Sequence, residues 1–212
     1  MRTIMIVNAK GGCGKSTLAT NLASYYAARG SAVALADMDP QGSSWGWLQN
    51  RPEDRPAITG IAGWKEPLRP SRETEVLIID TPAGTEGKDL APLLRKAQTV
   101  IVPVLPSTID MRAAKQFLYK LLLTGQVSRE ETMVGVVANR VRENTLIFDK
   151  LHSFLRRLEV PFVATLRDTQ NYIRADERGL GIFELAPSMV YQDLEQWQKL
   201  TRWLNSKRSQ PE

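Results

Sequence analysis

The segment that most restricts the fold is Lys10-Gly11-Gly12-Cys13-Gly14-Lys15-Ser16-Thr17. An apolar, β-branched run, Thr3–Val7, precedes it, and a helical pattern, Lys15–Arg29, follows it. Strand, glycine-rich turn and helix in that order build a phosphate cradle, because glycines let backbone N–H groups approach an anion with no Cβ in the way. The positive end of the helix adds to the same field. In such a loop Lys15 reaches the β- and γ-phosphates, the Ser16 hydroxyl ligates Mg²⁺ and Thr17 reaches the α-phosphate. A loop of this type sits at the edge of a parallel sheet, so the rest of the chain should supply one.

It does. Apolar runs recur at Ala32–Ala36, Val76–Ile79, Thr99–Val104, Met133–Ala138 and Phe162–Thr165. Most are continuous and not alternating, as expected for strands buried on both faces. Between and after them lie helical patterns at Lys88–Ala97, Met111–Leu123, Thr145–Leu158, Gln170–Arg178 and Ser188–Leu204. The alternation predicts an α/β, doubly wound, mostly parallel sheet with helices on both faces. Its 212 residues suit a single domain over residues 1–205, with 206–212 expected to fray. The stretch Arg51–Arg72, with Pro52, Pro56, Pro67 and Pro70, reads as a surface excursion between the second and third strands, pinned by Ile61 and Trp64.

One cysteine excludes a disulfide framework and points to the cytoplasm. The start runs into phosphate-loop residues by position 10, which leaves no room for a signal peptide, and no apolar run approaches a bilayer span. A pI near 9.4 invites a nucleic-acid partner, but the excess is only +5 and no segment is a polybasic tail. Any such surface must be assembled in three dimensions.

Lys10 changes the meaning of the loop. The common pattern G-x-x-x-x-G-K-[ST] needs glycine where this chain has Ala9, and Lys10-Gly11-Gly12 stands there instead. With this signature the chain resembles the ParA/MinD family of P-loop ATPases with a deviant Walker A motif. The resemblance continues in Asp37-Met38-Asp39-Pro40-Gln41-Gly42, in Val76–Asp80 with Thr81-Pro82-Ala83-Gly84, in Pro103–Asp110 and in Leu166-Arg167-Asp168 with the segment to Gly179. It implies ATP and Mg²⁺ as cofactors and a homodimer formed with ATP, in which Lys10 reaches the partner's phosphates. It implies further that Asp39 activates the attacking water and helps hold hydrated Mg²⁺, that Asp37 supports the loop and that Asp80 holds a metal-bound water. Thr81–Gly84 would sense the γ-phosphate and Pro106-Ser107 with Asp110 would lie near the dimer interface. Asn139-Arg140 looks like the base-contacting position, with Arg167 and Asp168 flanking the nucleotide. No N-K-x-D box is present, which favours adenine over guanine.

Three outputs compete within the resemblance. A ParA-type positioning ATPase would bind non-specific DNA, hence the nucleoid, in its ATP state. A ParB-like or cargo adaptor would then stimulate hydrolysis. Arg142, Lys150, Arg156, Arg157, Lys199, Arg202, Lys207 and Arg208 are candidates for its DNA patch. The alternative is a MinD-like membrane switch, for which the stripe Val190, Leu194, Trp197, Thr201 and Leu204 would be the amphipathic anchor. Membrane association is the less expected of the two, because such a stripe more often packs into a core. A metallocluster relative would need several cysteines, and Cys13 is the only one. Its place at the loop's variable position suggests a filler, while a thiol near a helix N-terminus has some capacity for alkylation, which would block ATP binding. His152 has no metal-ligand neighbours in its helix and is assigned nothing.

Overall fold

In a computed structural model, residues 1–211 are described. The chain runs β1 (Arg2–Ile6), α1 (Lys15–Ala27), β2 (Val33–Asp37), α2 (Ser43–Gln49), β3 (Ile58–Ala62), β4 (Val76–Asp80) and α3 (Gly87–Leu94). It continues β5 (Thr99–Val104), α4 (Thr108–Leu122), α5 (Gly125–Ser128), β6 (Met133–Val141), α6 (Leu146–Leu155), β7 (Phe162–Arg167), α7 (Asn171–Asp176) and α8 (Pro187–Leu204). Across the described residues seven strands form one sheet in the order β3-β2-β4-β1-β5-β6-β7, every pairing parallel.

Successive strand residues point to opposite faces, and both faces are covered. Ile4, Ile6, Leu35, Ile78 and Ile101 pack toward Leu18 and Leu22 of α1 and Trp197 and Leu200 of α8. Met5, Val7, Ala36, Ile79 and Val102 pack toward Leu94 of α3, Phe117 of α4 and Leu151 of α6. A strand buried on both sides has no polar positions to alternate, which is why its sequence reads as an unbroken apolar run. β1 lies at the centre, with β4 on one side and β5 on the other. That is the point where the strand order reverses and a crevice opens at the carboxyl ends.

Two expectations change, and a third, that the stripe on α8 packs into the core, holds. The excursion Arg51–Arg72 contains a strand, β3, which pairs in parallel with β2 from Val33↔Ile58 to Asp37↔Ala62 and forms one edge of the sheet. It is held from outside by Arg51, whose guanidinium grips the Glu184 carboxylate with both terminal nitrogens, at 3.0 and 2.8 Å, and donates to the Gly179 carbonyl. Both side chains are over nine-tenths buried. Gly179, at φ +62°, packs so tightly on the Asn50–Arg51 backbone that no Cβ would fit.

The tail does not fray over residues 206–211; Glu212 lies outside the described residues. Arg2 is responsible: partly buried at the start of β1, it donates to the Ser209 carbonyl at 3.0 Å and to the Ser209 hydroxyl at 2.9 Å. Ser209 is fully buried, and its carbonyl also accepts from the Thr99 hydroxyl.

Finally, the stripe on α8 is core. Val190 and Trp197 are fully buried, and Thr201 and Leu204 nearly so. An apolar face already packed against the sheet is not free to enter a membrane. No helix among the described residues is long and apolar enough to cross one.

Candidate active site

β1 delivers the glycine loop to the centre of the sheet's carboxyl edge. Gly12 and Gly14 adopt φ of +73° and +89°, the left-handed region that only glycine enters cheaply. Gly14 is constrained twice, since a Cβ there would collide with the Asn139 amide. That amide donates to the Cys13 carbonyl at 2.8 Å. Asn139, read from sequence as a base contact, is buried and serves here as a strut for the phosphate loop.

α1 starts immediately, with Gly14 as its N-cap and no acidic residue in the first turn, so its positive end faces the loop uncompensated. Lys15 is largely buried, and its Nζ donates to the Lys10 carbonyl at 3.3 Å, which holds the ammonium over the loop. Lys10 sits half-exposed on the rim. Its backbone N–H donates to Asn8 Oδ1 at 3.1 Å, while Asn8 Nδ2 donates to the Pro103 carbonyl at 2.6 Å. Asn8 thus ties the loop to the end of β5, a role the sequence reading did not assign.

Cys13 is fully buried, its Sγ 3.3 Å from the Lys10 carbonyl. Burial pushes its thiol above the usual range, and Lys15 offsets only part of that. Burial of the sulfur and the raised thiol both work against the expected capacity for alkylation. His152 packs between Phe148 and Phe162 as an aromatic filler.

The carboxylates divide the work. Asp37 and Asp80 end neighbouring strands at matching register positions. Asp37 is fully buried, and its oxygens accept from the Asp39 and Trp45 backbone N–H groups, each at 2.9 Å. It shapes the turn into α2. Asp39 is half-buried, with Oδ1 accepting from Gln41 N at 2.9 Å.

Asp80 is buried with neither oxygen hydrogen-bonded. Burial pushes it up to about 7, Asp37 adds to the rise, and the nearby Ser16 and Ser44 hydroxyls and Lys15 moderate it. The residues present fit Mg²⁺. The donors are all oxygens, as a small hard cation held largely through waters prefers, and two orphaned buried carboxylate oxygens are what its hydration shell would satisfy.

The segment after Asp80 is strapped to the same loop. The Thr81 hydroxyl donates to the Ile6 carbonyl at 2.9 Å, Gly84 N donates to the Ala9 carbonyl at 3.0 Å, and Ala83 lies beside Gly11. Ser107 caps α4 by accepting from Asp110 N at 3.0 Å, and its hydroxyl bonds the Asp110 carboxylate.

The outlying candidates are less convergent. Arg167 points away into α8, with Nε 2.5 Å from Asp193 Oδ1 and a second bond to Gln192. Asp193 is fully buried and also accepts from Asn171 at 2.8 Å, so Arg167 neutralises a core charge. Arg140, at φ +52°, and Arg142 both pair with Asp168. The candidate basic residues are all exposed but split by the sheet. Lys150 rides on α6 and Arg156 and Arg157 follow its end, and Lys150 and Arg157 share a groove with Lys115 of α4. Lys199 and Arg202 ride on α8, across the sheet, beside Arg142.

Comparison with known proteins agrees with this geometry. Residues 4–182 match the model of the CobQ/CobB/MinD/ParA nucleotide binding domain. Maintenance of carboxysome distribution protein A of Halothiobacillus neapolitanus is 25% identical over 190 residues, covering 86% of this chain and 87% of that protein. Its namesake from Gloeobacter kilaueensis is 27% identical over 193 residues, covering 86% and 84%. Among solved structures, the MinC:MinD cell division complex of Aquifex aeolicus superimposes with a TM-score of 0.74 at 18% identity, covering 96% of this chain and 95% of that one. The ATP complex of a Cyanothece McdA variant gives 0.70 at 16% identity, covering 95% and 96%.

Proposed function

The chain belongs to the CobQ/CobB/MinD/ParA nucleotide-binding domain family, and on that premise we propose that it is a ParA-type, Mg²⁺-dependent ATPase that positions or segregates a cargo. The observation that carries this reading is the match to two carboxysome-distribution proteins along most of both chains. A likeness confined to the phosphate loop would speak only for nucleotide binding.

The chemistry follows from the residues. The loop amides, the α1 terminus and Lys15 bind the triphosphate. Mg²⁺, when bound, supplies charge that neutralises the phosphate oxygens. Asp39 keeps Oδ2 free of the turn that engages Oδ1, and so can orient the attacking water. Lys10, half-exposed, reaches a facing subunit's phosphates. Two triphosphates brought face to face repel strongly, so a lysine from each subunit favours the dimer only while the γ-phosphate is present. The ATP dimer binds DNA without sequence preference, and an adaptor that stimulates hydrolysis releases it. Doubling a weak basic surface raises its avidity, and each phosphate contact steepens the salt dependence by about 0.9 in log–log slope.

The test is a titration of a fluorescent duplex of arbitrary sequence with ATP, ADP or no nucleotide at two salt concentrations. Salt-sensitive binding confined to ATP is expected. An ATP dimer that binds no duplex in any state would reject the DNA output.

A further inference from the structure

The reading as an ATPase leaves one buried hydroxyl unexplained. Ser44 lies in the first turn of α2, fully buried, and its Oγ has no hydrogen-bond partner. A serine at a helix start usually caps the helix or bonds a nearby carbonyl. Ser44 does neither. It also lies outside the Asp37–Gly42 motif, so the motif gives it no role.

Its neighbours supply one. Trp45, the next residue, bonds Asp37, and Asp37 stands opposite Asp80 on the adjacent strand, so the buried Ser44 hydroxyl comes into the neighbourhood of the Asp80 carboxylate, whose two oxygens are themselves unpartnered. Asp37, the other carboxylate at this register position, is engaged through both oxygens by backbone N–H groups and takes no bond from Ser44. One of those bonds comes from Trp45 N, at 2.9 Å, and it anchors the residue next to Ser44. The first turn of α2 is thereby fixed with Ser44 facing inward. A buried donor and two buried acceptors left open side by side are costly unless something else completes them.

We infer that Ser44 is a positioning residue of the metal–nucleotide site. With the cation bound, its hydroxyl would donate to Asp80 and set the carboxylate in the orientation that receives a metal-bound water, while Ser16 would serve as the direct ligand. The inference rests on the ATPase reading.

The experiment measures Mn²⁺ affinity, by electron paramagnetic resonance of the free ion, for the full chain saturated with a non-hydrolysable ATP analogue. Affinity for a fluorescent ATP analogue in excess chelator is measured in parallel. Ser44→Ala should weaken Mn²⁺ binding about tenfold, the scale for removing a group that orients a metal site. Metal-free nucleotide affinity should stay within about twofold, and Ser44→Thr, which keeps the hydroxyl, should recover most of the loss. A merely structural role would lower both affinities together. Unchanged Mn²⁺ affinity in Ser44→Ala, equal losses with and without metal, or a well-folded Ser44→Thr as weak as Ser44→Ala would each overturn the inference while leaving the ATPase reading standing. A wild-type chain that binds no nucleotide would overturn both.

Discussion

Asp37 and Asp80 stand opposite each other on adjacent parallel strands, yet only Asp37 has its carboxylate oxygens occupied. The asymmetry separates two roles that sequence alone would give to either residue. Asp37 is committed to backbone geometry, and Asp80 is kept open at a cost to the protein without its cation.

That cost is measurable. Burial raises the Asp80 carboxyl from 3.8 to about 7, so between those values the folded chain holds a proton that the unfolded chain has lost. The Asp80 contribution to stability therefore falls as pH rises from about 4 to about 7 and is flat above. With nucleotide absent and divalent cations chelated, Asp80→Asn should be more stable than wild type at pH 8 by on the order of 2–4 kcal/mol. Urea unfolding should show the gap narrowing as pH falls from about 7 and gone by about pH 4. A gap independent of pH would refute the assignment.

Lys15→Ala should weaken ATP binding at least about a hundredfold, since the phosphates lose their buried cation. Asp39→Ala should bind ATP and dimerise but turn over at least about a hundred times more slowly. Lys10→Ala should bind ATP without forming a stable dimer. Calorimetry, phosphate release and sedimentation separate the three, and wild-type turnover by Asp39→Ala would remove that residue from the chemistry.

Cys13 should resist iodoacetamide in the folded protein, with or without ATP, and react only on unfolding. Mass spectrometry of the modified peptide reads this directly. Rapid labelling suppressed by ATP would mean that the loop opens far more than its packing implies.

Arg167→Ala should cost about 2–4 kcal/mol of stability, because it strands the buried Asp193 with Asn171 as its remaining side-chain partner. Nucleotide affinity of the folded fraction should hardly change. A selective loss of ATP binding would return Arg167 to the nucleotide site where the family resemblance had placed it.

Much of this was legible from residue order. Five strands announced themselves because burial on both faces leaves few polar positions, β7, an edge strand only partly buried, through its apolar and β-branched residues, and the phosphate loop because glycine and lysine spacing there is set by phosphate geometry. β3 was hidden for a physical reason. It is an edge strand with Thr59 exposed and Gly60 mid-strand, set among prolines, so neither its pattern nor its flanks read as β. α2 was hidden by Ser-Ser-Trp-Gly, a poor helix former that tertiary contacts override. Asn139 and Arg167 were found as residues but not as roles. Their partners, Cys13 and Asp193, lie 126 and 26 positions away, and only folding brings them together.

The grip of Arg51 on Glu184 bears on how a signal could leave the site. α2 is anchored at its start by Trp45 N on Asp37 and just beyond its end by Arg51 on the loop at 179–184. That loop is itself fastened to α1, where Ile182 N donates to Asn21 at 2.6 Å. α2 is thus clamped at both ends, like a beam, and a swing of the whole helix would have to break these bonds. A smaller displacement would fall on the turn Met38–Gly42, five residues ending in a glycine at φ +67°. Asp39 rides on that short hinge, so a motion sensed there would register first as a change in where its carboxylate points.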